Sequence, residues 1–243
     1  MKRVVIVGAT SGIGYESAKI FLQQGYIVGL AGRREDNLKP LLQEFPEKAY
    51  SKQIDITSPE APQRLTELIE DMGGMDIYLH ISGIGFQNIN LDNQIEIDTV
   101  KTNSLGLTQM ATTAYHYLSQ KGGGQIAVVS SIAGTKGLGI APSYSATKRY
   151  QSTYMQSLAQ LSRMRNDNIL FTDIRPGFVD TPLLRSANYP MKMQADYVAK
   201  KLYKAVLCKK RVAIIDWRYS LLVFFWKLIP TFLWERLKIV KTK

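Results

Sequence analysis

Short runs of apolar and β-branched residues recur along this chain, and helical periodicity fills the intervals between them. Residues 3–7, 27–31, 49–54, 76–81, 125–130, 168–174 and 211–215 read as strands, since continuous apolar runs of this length suit a sheet covered on both faces. Tyr15, Ala18, Ile20, Phe21 and Leu22 form a helical pattern that stops near Gly25, and residues 59–71, 99–118, 143–164 and 194–208 carry further helical patterns. Strands alternating with helices predict an α/β fold, a doubly wound parallel sheet with helices on both faces. No repeat, low-complexity tract or linker divides the 243 residues. One domain over 1–217 is expected, followed by an apolar, basic helical tail over 218–243.

The first strand runs directly into Gly8-Ala9-Thr10-Ser11-Gly12-Ile13-Gly14 and then into the first helix. A glycine turn there lets backbone N–H groups approach a pyrophosphate, and the helix amino terminus adds partial positive charge. The spacing is G-x-x-x-G-x-G rather than G-x-G-x-x-G, and it is the strand–turn–helix context that makes it a nucleotide signature. The second strand ends in Gly32-Arg33-Arg34, where NAD-binding folds place a carboxylate for the ribose hydroxyls. Two guanidiniums favour the 2′-phosphate of NADP, although Glu35 and Asp36 follow and could neutralise them.

Tyr144 and Lys148 lie four residues apart, hence on one face if their segment is helical. A free phenol titrates near pH ~10, and a neighbouring ammonium stabilises its anion, bringing it toward the range of an acid/base catalyst. Ser131, thirteen residues upstream, could hold a carbonyl or alcohol oxygen beside it. On its own the Tyr-x-x-x-Lys spacing is common, since a lysine snorkelling past a half-buried ring produces it too.

Taken together, these residues resemble the short-chain dehydrogenase/reductase family over roughly the first 215 positions. The likeness rests on Gly8, Gly12 and Gly14; Asn103 in Thr102-Asn103-Ser104-Leu105-Gly106; Ser131; Tyr144 with Lys148; and Pro176-Gly177-Phe178-Val179-Asp180-Thr181-Pro182. It implies a Rossmann-type fold with Asn103, Ser131, Tyr144 and Lys148 as catalytic residues. It implies cofactor contacts from Gly8, Thr10, Ser11, Gly12, Ile13, Gly14, Arg33, Arg34, Asp55, Ile56, Ser82, Gly83, Tyr144, Lys148, Pro176, Val179 and Thr181, with Asp55 at the adenine and the segment from Pro176 against the nicotinamide. Lys148 would hold the nicotinamide ribose, and Asn103 would anchor a water that replenishes the proton of Tyr144. Two positions depart from the family: Val7 stands where threonine is common, and His80-Ile81-Ser82-Gly83 replaces Asn-Asn-Ala-Gly. His80 is expected to be a core histidine bonded to neighbouring backbone.

The charge is unevenly distributed. Residues 1–199 carry 19 Lys+Arg against 18 Asp+Glu, and residues 200–243 carry 12 against 2, so nearly all of the net +11 belongs to the carboxyl end. Those charges flank the apolar run 219–234, too short and too interrupted by Lys227 and Pro230 to span a bilayer. An interfacial helix with Trp226 and Trp234 on one side, rimmed by Lys227, Arg236, Lys238, Lys241 and Lys243, is one reading; a helix packed over the substrate cleft or against a second subunit is the other. Charges flanking a greasy segment do not suit nucleic acid. The single cysteine, Cys208, excludes an internal disulfide and lies on an apolar helical pattern as an expected core residue. With a strand beginning next to Met1 and no signal peptide ahead of it, a cytoplasmic setting is expected, peripheral at the inner membrane face if the tail meets lipid.

The expected activity is NADPH-dependent interconversion of a ketone and a secondary alcohol, with no metal, in a homo-oligomer. Phe86, Leu138, Phe178, Leu183 and Leu184, beside Gly85 and with Lys136 and Arg185 the few charges, favour a lipid-like carbonyl such as a 3-ketosphinganine or a steroid. A small polar hydroxy compound, or a non-catalytic NADP-binding role, are the alternatives.

Overall fold

The computed structural model describes residues 1–184 and 189–238, so Arg185, Lys241 and Lys243 lie outside the described residues. In chain order the elements are β1 (Arg3–Val7), α1 (Gly12–Gln23), β2 (Ile27–Gly32), α2 (Lys39–Glu44), β3 (Ala49–Gln53), α3 (Ala61–Asp71), β4 (Ile77–His80) and α4 (Asn93–Val100). A π-helical turn, Lys101–Gly106, joins α4 to α5 (Leu107–Lys121); then come β5 (Gly124–Val129), α6 (Pro142–Arg165), β6 (Ile169–Arg175), β7 (Val179–Asp180) and β8 (Met193–Gln194). The chain continues through α7 (Ala195–Leu207), β9 (Val212–Ile214), α8 (Trp217–Leu228) and α9 (Thr231–Trp234).

Seven strands form one parallel sheet in the order β3-β2-β1-β4-β5-β6-β9. β1, at the centre, is apolar on both sides because both faces are covered, whereas the edge strand β3 carries Ser51, Lys52 and Gln53. Val4 and Ile6 of β1 join a core with Phe21, Val198 and Leu202, while Val5 and Val7 join a second core with Leu65, Met110 and Met155. Thus α1 and α7 cover one face, and α3, α5 and α6 the other. The strand order reverses between β1 and β4, which opens a crevice beyond their carboxyl ends.

Three expectations need correction. The helix expected at 99–118 begins earlier, at Asn93, and passes through the π turn. Cys208 is no core residue: it caps the end of α7 and is exposed. The tail is no continuous helix, because Ile229 is extended ahead of Pro230, as the residue before a proline prefers, and α9 starts afresh beyond it. Trp226 and Trp234 still meet, at 5.3 Å between ring centroids in an edge-to-face contact, but across that corner.

The start of α8 is anchored deeply. The Tyr219 hydroxyl accepts the Phe178 N–H at 3.1 Å and donates to the Met191 carbonyl at 2.9 Å, and its ring lies where a Cβ on Gly177 would have to go. Tyr219 therefore pins both ends of the segment between β6 and α7. Tyr219→Phe keeps the ring and leaves a buried donor and acceptor unpaired. We expect a loss of about 1–3 kcal/mol in denaturant-monitored unfolding, with the slope unchanged.

Candidate active site

The crevice at the strand reversal is built from the glycine turn. Gly8 and Gly12 have positive φ (95° and 53°), and a Cβ on Gly8 would come within 2.6 Å of the Ser82 amide nitrogen, so backbone rather than side chains forms the floor. Ser11 precedes α1 in extended conformation, leaving the first amides of that helix facing the crevice. The walls include Thr10, Ser11, Gly12, Ile13, Arg33, Arg34, Asp55, Ile56, Ser82, Gly83 and Thr181, around about 890 Å³ of solvent-open space. Gly14 lies beneath the floor, where a Cβ would overlap the Gly8 carbonyl; its contribution is close helix–strand packing.

Electrostatics in the crevice are positive. Arg34 donates to the Ser11 hydroxyl at 2.9 Å. The two acidic residues that could neutralise the arginines are committed elsewhere, Glu35 to the Ser51 hydroxyl and Asp36 to Lys39. Asp55 accepts from the backbone and hydroxyl of Thr57, which, with Arg33 nearby, holds its carboxyl below the usual range against the effect of burial. Residues of the wall that the motifs did not mark include Thr57 and Ile84, ordinary side chains that only their place after a strand brings there.

The expected catalytic residues converge beside this crevice. Ser131 follows β5, and its hydroxyl accepts the Ala133 N–H at 3.1 Å and donates to the Pro176 carbonyl at 3.3 Å. Tyr144 is half-buried on the first turn of α6, with its ring against Gly85, where a Cβ would come within 2.7 Å. Burial raises the Tyr144 pKa, and Ser131 opposes that rise. One turn on, Lys148 is buried and its ammonium lies 5.8 Å from the Tyr144 ring centroid. It donates to the Val129 carbonyl at 3.1 Å and to Gln151 Oε1 at 3.0 Å. Gly83 lies at the lysine's edge, so the ammonium borders the crevice.

Asn103, on the π turn, is fully buried. Its side chain accepts the Ile84 N–H at 2.9 Å and donates to the Ile84 carbonyl at 2.7 Å and to Thr147 Oγ1 at 3.1 Å, which fixes the loop after β4 against α6. Pro176 and Val179 contribute structure: the Pro176 carbonyl receives Ser131 and the Ile132 amide, and Val179 is buried in the short β7–β8 pair. Sequence reasoning missed Asp173. It is buried, accepts from Ser130 and Arg175, and acts electrostatically on Lys148; the only signal is that its donor Ser130 precedes Ser131. His80 is the core residue expected; besides its interaction with the Ser82 backbone, its Nδ1 pairs with the Tyr78 hydroxyl at 2.8 Å. Burial, and then Lys148, drive its pKa to about 3, so it stays neutral.

The chain matches the profile of the short chain dehydrogenase family over residues 2–192. Dehydrogenase/reductase SDR family member 7B of Xenopus tropicalis is 30% identical over 197 residues, covering 76% of this chain and 63% of that protein, so the chain spans less than two thirds of that relative's length. An uncharacterized oxidoreductase of Mycobacterium tuberculosis is 27% identical over 241 residues and matches along 94% of both chains. Among solved structures, the alcohol dehydrogenase from the archaeon Thermococcus sibiricus complexed with 5-hydroxy-NADP superposes with a TM-score of 0.76 at 23% identity, over 88% of this chain and 94% of that one. ElxO with NADP bound superposes with a TM-score of 0.80 at 22% identity, over 90% and 98%. These two likenesses establish the fold.

Burial drives the Lys148 pKa from its ordinary value of 10.5 down to about 8, with Asp173 opposing. Between those values the unfolded chain holds the proton and the folded chain releases it, so this residue makes stability rise with pH across that window. Lys148→Met removes the effect. Unfolding of wild type and variant from pH 7 to 11 should show their stability difference moving in favour of the wild type by the order of 3 kcal/mol, at roughly 1.4 kcal/mol per pH unit. A flat difference would refute the assignment.

Proposed function

The chain belongs to the short-chain dehydrogenase family, and from that premise we propose that it is an NADP-dependent oxidoreductase interconverting a ketone and a secondary alcohol on a hydrophobic substrate. The observation that carries the proposal is the half-buried Tyr144 phenol with Ser131 beside it and the Lys148 ammonium next to its ring, opening onto a positively charged dinucleotide crevice. Bound NADPH supplies the hydride. Tyr144 gives its proton to the carbonyl oxygen as charge develops there, and Ser131 hydrogen-bonds the same oxygen, so the two form an oxyanion site made of side chains. The Lys148 ammonium favours the resulting phenolate. Asn103 keeps the loop after β4 in register with α6.

NADP rather than NAD is supported by Arg33 and Arg34, which Glu35 and Asp36 do not pair with, and by the NADP and 5-hydroxy-NADP in the two similar structures. A hydrophobic substrate is supported by the walls beyond Tyr144. Phe178 lies against Tyr189 at 4.5 Å between ring centroids, Leu183 is exposed, Lys136 spends its ammonium on the Ile229 carbonyl at the end of α8, and Lys192 pairs with Asp180. A long-chain ketone or a steroid fits such walls.

The tail unites the two readings of the sequence. It packs over the loop after Ser131, where Trp234 donates to the Gly137 carbonyl at 2.6 Å, and it also turns Leu221, Phe224, Phe225, Leu228, Phe232 and Leu233 outward. No described helix is long and apolar enough to cross a membrane. An exposed apolar face with Lys227, Arg236 and Lys238 at its edge suits an anionic membrane surface.

Tyr144→Phe should reduce ketone turnover by ~10²–10⁴-fold with NADPH binding intact, measured as NADPH oxidation and by fluorescence titration. Arg33→Ala should weaken NADPH far more than NADH, since it loses a charge-assisted bond that only the 2′-phosphate makes; equal losses would defeat the NADP reading. The full chain should co-sediment with anionic vesicles at low salt, and a chain lacking residues 219–243 should not. A full chain that stays in the supernatant as a dimer, which the truncation abolishes, would instead make the tail an assembly element.

A further inference from the structure

The water expected on Asn103 meets an obstacle in this chain. Within the π turn, the Asn103 backbone carbonyl accepts from Gln151 Nε2 at 2.9 Å, and the other end of the same amide, Oε1, accepts from Lys148 Nζ at 3.0 Å. Gln151 is 0% exposed and Lys148 5% exposed, so the bridge lies inside the protein. Lys148 therefore reaches the Asn103 carbonyl through a covalent side chain, where a relay would need a water between the two. Such a water donates and accepts at one atom and so passes a proton along. A carboxamide accepts only at its oxygen and donates only at its nitrogen, so it cannot do so without becoming an imidic acid.

We propose that Gln151 is a positioning residue that locks the Lys148 ammonium to the Asn103 carbonyl in place of a water, so that the proton of Tyr144 is renewed from the open face of the cleft and not along the Lys148–Asn103 axis. The proposal rests on the reductase reading for its consequence and on geometry for the bridge. After Tyr144 has given its proton to the substrate oxygen, the phenolate takes one from solvent, which the only partial burial of that residue allows. The charged and titratable groups around Lys148 are Asp173 from β6, His80 from β4, backed by Tyr78, and Tyr144 on its own helix. The partners from β5 and the π turn are neutral.

Gln151→Leu and Gln151→Glu test the lock because they act on the ammonium in opposite senses while keeping similar bulk. The leucine removes an acceptor and the glutamate supplies a charged one, so the pH range over which folding gains stability from Lys148 should widen downward in the first and shrink in the second. In single-turnover NADPH oxidation, the high-pH loss of rate should move down by about one pH unit for leucine and up by about one or more for glutamate. A proton inventory in mixed H₂O and D₂O should be linear for the wild type, reporting one proton in flight, and should become curved for Gln151→Ala, where a water can enter. Shifts in the same direction, or none, in folded variants overturn the lock, as does a curved wild-type inventory. If the wild type reduces no carbonyl at all while the unfolding shifts oppose each other, the reductase reading fails and the bridge stands.

Discussion

At the carboxyl end of β1 the chain turns so tightly that a Cβ on Gly14 would overlap the carbonyl oxygen of Gly8, and one on Gly8 would crowd the Ser82 amide at 2.6 Å. These two approaches bring three backbones together: the end of β1, the first turn of α1 and the end of β4. Everything in the crevice depends on them. Because α1 is held this close, its amino terminus faces the crevice; because β4 is held this close, Gly83 borders both the dinucleotide side and the Lys148 ammonium. A side chain in the turn would separate the anion site from the acid/base site. The reversal of strand order makes room for a ligand, and the missing side chains let backbone reach it.

The acid/base cluster is assembled against an electrostatic cost. Lys148 is buried under Tyr144, and burial disfavours its charge, which Asp173 partly restores from the neighbouring strand. Asp173 is itself buried, and stays there because Arg175 and Ser130 satisfy its oxygens. A chain of satisfied polar groups therefore runs from Arg175 on β6 through Asp173 and Ser130 to α6, each link making the next tolerable in a low-dielectric interior. The same surroundings explain why His80 can replace an amide in the family pattern without adding a second charge beside the lysine: burial keeps it neutral.

The strands and the site were legible in the sequence to different depths. Apolar runs such as Val4 to Val7 identify strands because burial on both faces demands them, and the motif residues identify the crevice because glycine, arginine and a Tyr–Lys pair each answer a specific chemical need. The π turn at Lys101–Gly106 left no periodic signal, since one widened turn does not disturb the apolar pattern around it. Gln151 and Asp173 were invisible for another reason. Their roles arise from contacts with residues 48 and 43 positions away, Asn103 and Ser130, and no local pattern marks a long-range hydrogen bond. Cys208 was misread because it follows directly on the apolar face of α7, and the cap position turned it outward.

The tail follows the same logic of coupled contacts. Pro230 breaks it into two helices, and that break lets Trp234 fold back onto Gly137 while Lys136 covers the carboxyl end of α8, where its charge complements the helix dipole. At the other end Tyr219 ties α8 to Phe178 and Met191. The tail therefore grips both the loop after Ser131 and the segment after Pro176. Its outward face remains apolar because the inward contacts use only Tyr219, Val223, Trp234 and their partly buried neighbours.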